Sequence, residues 1–305
     1  MAEILLETNG LCKTYGKTRA VNNVSMHVER GAVYGFIGRN GAGKTTFMKI
    51  VCGLANKTSG EMTLFGKTGS QIAEVRPKLG CLIEAPGIYP KLTAFENMQL
   101  KCLAFGKYSK EYINDLLTLV GLADTGKKKA GKFSLGMRQR LGIALALVGE
   151  PELMILDEPI NGLDPQGIVE VRDTIHRLST ERGITILISS HILDELSRIA
   201  THYGIINNGE LIRELSAEQL KNECSERLEI TVKGATHAAA NILKKMGVGF
   251  TVVNDDLITV SSGIERSAEI NTALVTSGLA VSELAVRGEA LEDYYLNLTG
   301  GSANA

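Results

Sequence analysis

The nine residues Gly38-Arg-Asn-Gly-Ala-Gly-Lys-Thr-Thr46 constrain this chain more than any other stretch. They follow an apolar run at 33–37 that reads as a buried strand. They precede Phe47, Met48, Ile50 and Val51, whose spacing predicts a helix. Glycine, four residues, then glycine-lysine-threonine between a strand and a helix is the pattern of a phosphate-binding loop. Gly38, Gly41 and Gly43 let the backbone around Asn40 curl until successive N–H groups point inward at phosphate oxygens. The N-terminus of the following helix, at Thr45 and Thr46, adds its partial positive charge. Lys44 is placed to bridge the outer phosphates and the Thr45 hydroxyl to bind Mg²⁺.

A phosphate loop needs a second element to organise magnesium. The run Leu153-Met-Ile-Leu-Asp157-Glu158-Pro supplies one, at the end of a second buried strand. Asp157 is suited to hold Mg²⁺ through water, and Glu158, one position on, to polarise an attacking water as general base.

Around these elements the first two-thirds of the chain alternates β-branched runs, at 33–37, 154–156 and 184–189, with helical patterns. That alternation predicts an α/β domain built on a mainly parallel sheet. Between Pro86 and Glu150 no comparable strand occurs. Met98, Leu100, Cys102 and Leu103, then Leu116, Leu117, Leu119 and Val120, recur at helical spacing and predict a helical insert. After about residue 220 the pattern becomes β-α-β-β-α-β, with segments at 228–232, 235–246, 250–253, 257–260, 265–277 and 279–286. This predicts a small α+β module of ferredoxin-like type, closed by a helix through Tyr294 and Tyr295. The domains expected are therefore 1–220, with its helical part at about 86–150, and 221–300, with 301–305 as a frayed tail. A length of 305 residues accommodates two such cores.

A net charge of -1 excludes a polybasic nucleic-acid sleeve, and no apolar run approaches the ~18 residues that a spanning helix needs. The five cysteines are scattered, with no pair at Cys-x-x-Cys spacing. They suit a reducing compartment and predict neither a zinc site nor a disulfide framework. The basic run Lys127-Lys-Lys129 with Lys132 is read mainly as a solvated face.

Further segments follow in a fixed order: Phe133-Ser134-Leu135-Gly136-Met137-Arg-Gln-Arg140, then Asn161-Gly-Leu-Asp164, then His191 after Ile184-Thr-Ile-Leu-Ile-Ser-Ser190. Tyr15 lies upstream in Lys13-Thr-Tyr-Gly16. With the phosphate loop and the carboxylate pair, they resemble the ATP-binding cassette (ABC) ATPases over about residues 4–220. The resemblance implies a P-loop, RecA-like nucleotide-binding domain that takes ATP and Mg²⁺. It implies that Tyr15 stacks on adenine and that His191 is the switch histidine. It also implies that Ser134 and Gly136, in the signature position, serve a nucleotide held by an opposite subunit, with Asp164 in the D-loop. Ser134 is independently a good helix N-cap.

Two departures from the family pattern stand out. The signature keeps only the serine and the second glycine of the commonest Leu-Ser-Gly-Gly-Gln. In Leu79-Gly-Cys-Leu-Ile-Glu84-Ala-Pro-Gly-Ile-Tyr-Pro90, Glu84 stands where the family usually has glutamine. A carboxylate is a harder ligand for Mg²⁺ but cannot donate a hydrogen bond, so Glu84 is a candidate metal-contacting and catalytic residue. Glu84, the proline-containing loop after it, the Ser134-Leu-Gly-Met137 signature and the C-terminal module ending Leu291-Glu-Asp-Tyr-Tyr-Leu-Asn-Leu298 narrow the resemblance to the ATPase subunits of bacitracin-resistance and lantibiotic-immunity exporters. What that implies is a homodimeric bacterial ATPase at the inner face of the cell membrane. Such a subunit works without nucleic acid and drives a separate permease, a helix of which Ile88, Tyr89 and Leu92 are candidates to receive, with packing inside the helical insert as the alternative for each.

Overall fold

In the computed structural model, residues 3–224, 226–288 and 291–299 are described. The chain divides into two compact units, Met1–Ala217 and Glu218–Ala305. The expected frayed tail, 301–305, lies outside the described residues.

In the first unit two long strands, β1 (Ile4–Tyr15) and β2 (Thr18–Glu29), form an antiparallel hairpin before β3 (Val33–Ile37) and α1 (Lys44–Val51). Next come β4 (Ser59–Leu64), β5 (Lys67–Thr68), α2 (Ile72–Val75) and β6 (Leu79–Leu82). The helical insert follows as α3 (Ala94–Ala104), α4 (Lys110–Leu119) and α5 (Leu135–Leu147), without a strand among them. The unit ends with β7 (Leu153–Leu156), α6 (Pro165–Arg182), β8 (Thr185–Ser190), α7 (Leu193–Ser197), β9 (His202–Asn207) and β10 (Glu210–Ser216), and α8 (Ala217–Cys224) crosses into the second.

The central sheet has the order β10-β9-β3-β8-β7-β6 and is parallel except at β10. β3, β7 and β8 are buried along their whole length, as expected for strands covered on both faces. A second sheet, β2-β1-β4-β5, shares its core with α1: Leu6, Met26 and Leu64 pack with Phe36 and Phe47, whose rings lie 5.2 Å apart. Because β3, β8 and β7 are neighbours, the loops at their carboxyl ends open side by side, where ligands bind in open α/β sheets.

Within the insert, Met98 and Cys102 are buried, but Leu100 and Leu103, counted in the same helical pattern, are exposed. Met98 and Cys102 are one helical turn apart, whereas Leu100 lies about 200° around the helix from Met98. The helix α3 begins in a full capping box, Thr93 Oγ1 accepting from the Glu96 N–H and Glu96 accepting from the Thr93 N–H at 2.6 Å.

The second unit runs β11 (Arg227–Thr231), α9 (Thr236–Lys245), β12 (Phe250–Val252), β13 (Leu257–Val260), α10 (Ser267–Thr276), β14 (Glu283–Arg287) and α11 (Leu291–Leu298). Its sheet order, β12-β13-β11-β14 with every neighbouring pair antiparallel, is the split βαβ arrangement of a ferredoxin-like module. Ala239, Leu243, Ile270 and Leu274 from the two helices cover Leu228, Ile230, Ile258 and Val260 of the sheet.

Candidate nucleotide site

Gly43 is the N-cap of α1 at φ 110, and a side chain there would run into the carbonyl of Ala20. Gly38 is required for a different reason: a Cβ would lie 2.6 Å from the Ile206 carbonyl oxygen. The loop is thus wedged against neighbouring backbone, and its curl is available to glycine alone.

Lys44, the first residue of α1, is 4% exposed. Its ammonium donates to the Gly38 carbonyl at 2.5 Å and to that of Arg39 at 3.2 Å, and lies 3.0 Å from Glu158 Oε1. Glu158 Oε2 is 2.8 Å from His191 Nδ1. One residue back, Asp157 is buried; its Oδ2 accepts from the Thr45 hydroxyl at 2.8 Å and its Oδ1 from Ser189 Oγ at 2.7 Å. Ser189 Oγ in turn accepts from the Glu158 N–H at 2.8 Å. The chain turns sharply between the two carboxylates, with Glu158 at φ 47, a left-handed conformation that strain-bearing functional residues adopt. Three strand ends therefore bring Lys44, Thr45, Asp157, Glu158 and His191 into one continuous network.

Ser189 was not singled out by the sequence reading. The signal was present in its hydroxyl at the end of an otherwise apolar strand, where a buried polar group needs a polar partner.

The chemistry of Thr45 and Asp157 fits Mg²⁺: a hydroxyl and a carboxylate, both hard oxygen donors, lie side by side and would hold the ion directly or through water. Among the described residues no group of three or more His, Cys, Asp or Glu side chains is arranged to hold a metal. Glu84, the other expected metal-contacting residue, pairs with Lys49 in this structure. At φ 62, just beyond β6, its carboxylate meets Lys49 Nζ on α1 at 2.5 Å. That hydrogen bond, more than any other influence, holds the Lys49 ammonium above its ordinary range.

The remaining expected residues keep local contacts. Ser134 caps α5, accepting from the Met137 N–H at 3.2 Å, and Asp164 caps α6, accepting from the Gly167 N–H at 3.2 Å. Gly136 is buried, and a Cβ there would touch Gly167, so these two glycines let α5 and α6 approach closely. Tyr15 is half exposed with the Lys13 ammonium 4.6 Å from its ring centre. The Asn40 and Gly41 tip is exposed, while Thr46 is half buried within α1. In the basic run, Lys129 pairs with Glu96 at 3.1 Å and Lys128 lies over the Phe133 ring.

Residues 21–161 match the family model described as ABC transporter. The bacitracin transport ATP-binding protein of Bacillus licheniformis is 41% identical over 97% of this chain and 98% of its own length. This chain is an ABC transporter ATP-binding protein. The lantibiotic transport ATP-binding protein of Streptococcus pyogenes is 45% identical, over 72% of this chain and 93% of its own. A daunorubicin resistance ATP-binding protein of Streptomyces coeruleorubidus is 31% identical over 98% and 97%. Among solved structures, a nucleotide-free ABC transporter cassette superposes with a TM-score of 0.63 at 25% identity over 72% of this chain and 94% of that one. A dimeric bacterial ABC transporter cassette gives 0.62 at 25% over 70% and 98%. As a member of this family the ABC protein binds and hydrolyses ATP. No described helix is long and apolar enough to cross a membrane.

Proposed function

We propose that this ABC ATPase powers the removal of a peptide antibiotic, of bacitracin or lantibiotic type, through a separate permease. The observation that carries this reading is the extent of the bacitracin relative's similarity, 41% across 97% of the chain, which takes in the C-terminal module as well as the cassette. The lantibiotic relative is similar over a smaller share of the chain, 72%, and the daunorubicin relative is less similar, at 31%.

In the proposed cycle, phosphate oxygens entering the loop compete with Glu158 for the Lys44 ammonium, so that nucleotide binding itself frees the general base. Glu158 then accepts a proton from the attacking water, and His191, hydrogen-bonded to its other oxygen, fixes the carboxylate's orientation. Thr45 and Asp157 would hold Mg²⁺, which when bound neutralises developing phosphate charge. Ser134 and Gly136 lie at a helix N-terminus able to meet an anion presented by a second copy. We therefore place ATP between two identical chains packed head to tail, an isologous contact. Loss of the γ-phosphate removes contacts made only in the closed pair and reopens it.

An open groove of about 610 Å³ runs along β6, the Glu84 loop, α3 and α5, and supports the permease reading. Leu54, Tyr89, Leu100 and Phe105 line it while remaining exposed, an apolar strip suited to one amphipathic helix of a membrane subunit. Ile88 and Leu92, also expected to meet that partner, are half buried. In this reading the ATPase sits on the cytoplasmic face of the cell membrane, held there through the permease.

Deleting the gene in its native host and challenging with bacitracin, a lantibiotic and an anthracycline tests the assignment. Sensitisation to a peptide antibiotic, restored by the wild-type chain and not by Glu158→Gln, is expected. Sensitisation to the anthracycline alone, or to none of the three, overturns the substrate class.

A further inference from the structure

The tertiary structure joins two cysteines that lie 29 positions apart in sequence. Cys52 is the C-cap of α1, the helix that begins with Lys44 and Thr45, and Cys81 lies in β6, three residues before Glu84. Both are free thiols, and Cys52 Sγ donates to Cys81 Sγ at 3.0 Å. A disulfide bond is roughly 2.05 Å long, so closing it requires about 1 Å of sulfur movement.

Cys81 is exposed and lines the apolar groove together with Lys101, whereas Cys52 is half buried behind it. We propose that Cys52 and Cys81 form a reversible dithiol/disulfide site at which oxidation by a peroxide brakes ATP turnover.

The two thiols have distinct roles. The hydrogen bond from Cys52 draws the Cys81 thiol below its ordinary range, with help from the Lys101 ammonium. The same bond, with burial, pushes Cys52 well up and keeps it protonated. Cys81 thiolate is therefore the group that attacks hydrogen peroxide: an S–O bond forms, the O–O bond breaks, and hydroxide leaves to take up a proton as water. Cys52 sulfur then attacks the Cys81 sulfenic acid; the S–S bond forms, the S–O bond breaks, and the departing hydroxyl takes the Cys52 proton as a second water. Two thiols and one peroxide give one disulfide and two waters.

The bond's position explains the brake. It ties the C-terminal end of the nucleotide-loop helix to the strand that leads into Glu84 and the groove. Lys49, three residues before Cys52, already pairs with Glu84 across the same junction. Any movement of the Glu84 loop relative to α1 during turnover has to pass this point, and a covalent link would oppose it.

The full-length protein, treated with stoichiometric hydrogen peroxide, is examined by peptide mapping and ATPase assay. The expected result is one linked Cys52–Cys81 peptide, Cys12, Cys102 and Cys224 still alkylatable, and a loss of turnover that dithiothreitol reverses. Cys52→Ser should retain basal turnover and become insensitive to peroxide at this site, with Cys81 halted at sulfenic acid. Over-oxidation of Cys81 in the wild-type chain without a link to Cys52 overturns the proposal. So does a formed link that leaves turnover unchanged.

Discussion

Replacing Glu158 by glutamine separates its two contacts from its chemistry. The amide has the same length, so its oxygen can still lie beside the Lys44 ammonium, 3.0 Å away for the carboxylate, and its NH₂ can donate to His191 Nδ1, 2.8 Å away. What it cannot do is take a proton from water. Positioned general bases contribute roughly 10²–10⁴-fold, so turnover should fall by that factor, about 2.7–5.4 kcal/mol of barrier. ATP affinity should hold or improve, because a neutral amide competes with phosphate for the buried ammonium less well than a carboxylate does. Glu158→Ala is the less informative change: it strips a 4%-exposed ammonium of its counter-ion, and breaking a buried pair costs about 3–5 kcal/mol. Phosphate release and equilibrium ATP binding on the purified chain measure the two effects, and sedimentation under saturating Mg-ATP tests for an accumulated dimer. Turnover reduced less than ~10-fold, or ATP binding weakened by ~10-fold, would refute the assignment of Glu158 as base and show that its role is to hold Lys44.

The Lys49–Glu84 pair is largely solvent-facing, so Glu84→Gln should change stability by less than about 1 kcal/mol while shifting the magnesium dependence of hydrolysis; an unchanged magnesium titration removes Glu84 from the reaction. Glu96 is held below the usual carboxylate range, chiefly by the Thr93 N–H and then by Lys129. Its capping contribution is therefore full above the ordinary pKa of 4.5 and is lost as pH falls through the depressed folded value. Hydrogen exchange at the start of α3 should accelerate in that acid window in the wild type, and Thr93→Ala should show the faster exchange already at neutral pH. A chain ended after Leu220 should fold and bind ATP, since the cassette core and the module core are separate clusters; an insoluble or ATP-blind truncation rejects that boundary.

The phosphate loop was legible in the sequence because its information is local. Glycine positions set backbone curvature, and a lysine and a threonine at fixed offsets need no distant partner to be recognised. The β-α-β-β-α-β order of the module was legible for the same reason, since each element declares itself by its own period. Leu100 and Leu103 show the limit of that method. Their apolar character fits a helix, but which face meets the core depends on neighbours that the period does not name.

Tertiary structure alone decided how the pieces touch. The order β3-β8-β7-β6 is what sets Lys44 against Glu158, Asp157 against Ser189, and Glu84 against Lys49. The sequence presented five scattered cysteines without a motif; packing α1 beside β6 turned two of them into a pair at 3.0 Å. Short-range conformational preference travels with the residues that express it. Contacts between residues far apart in sequence exist only once a sheet has chosen its strand order, and the chemistry of this site depends on those contacts.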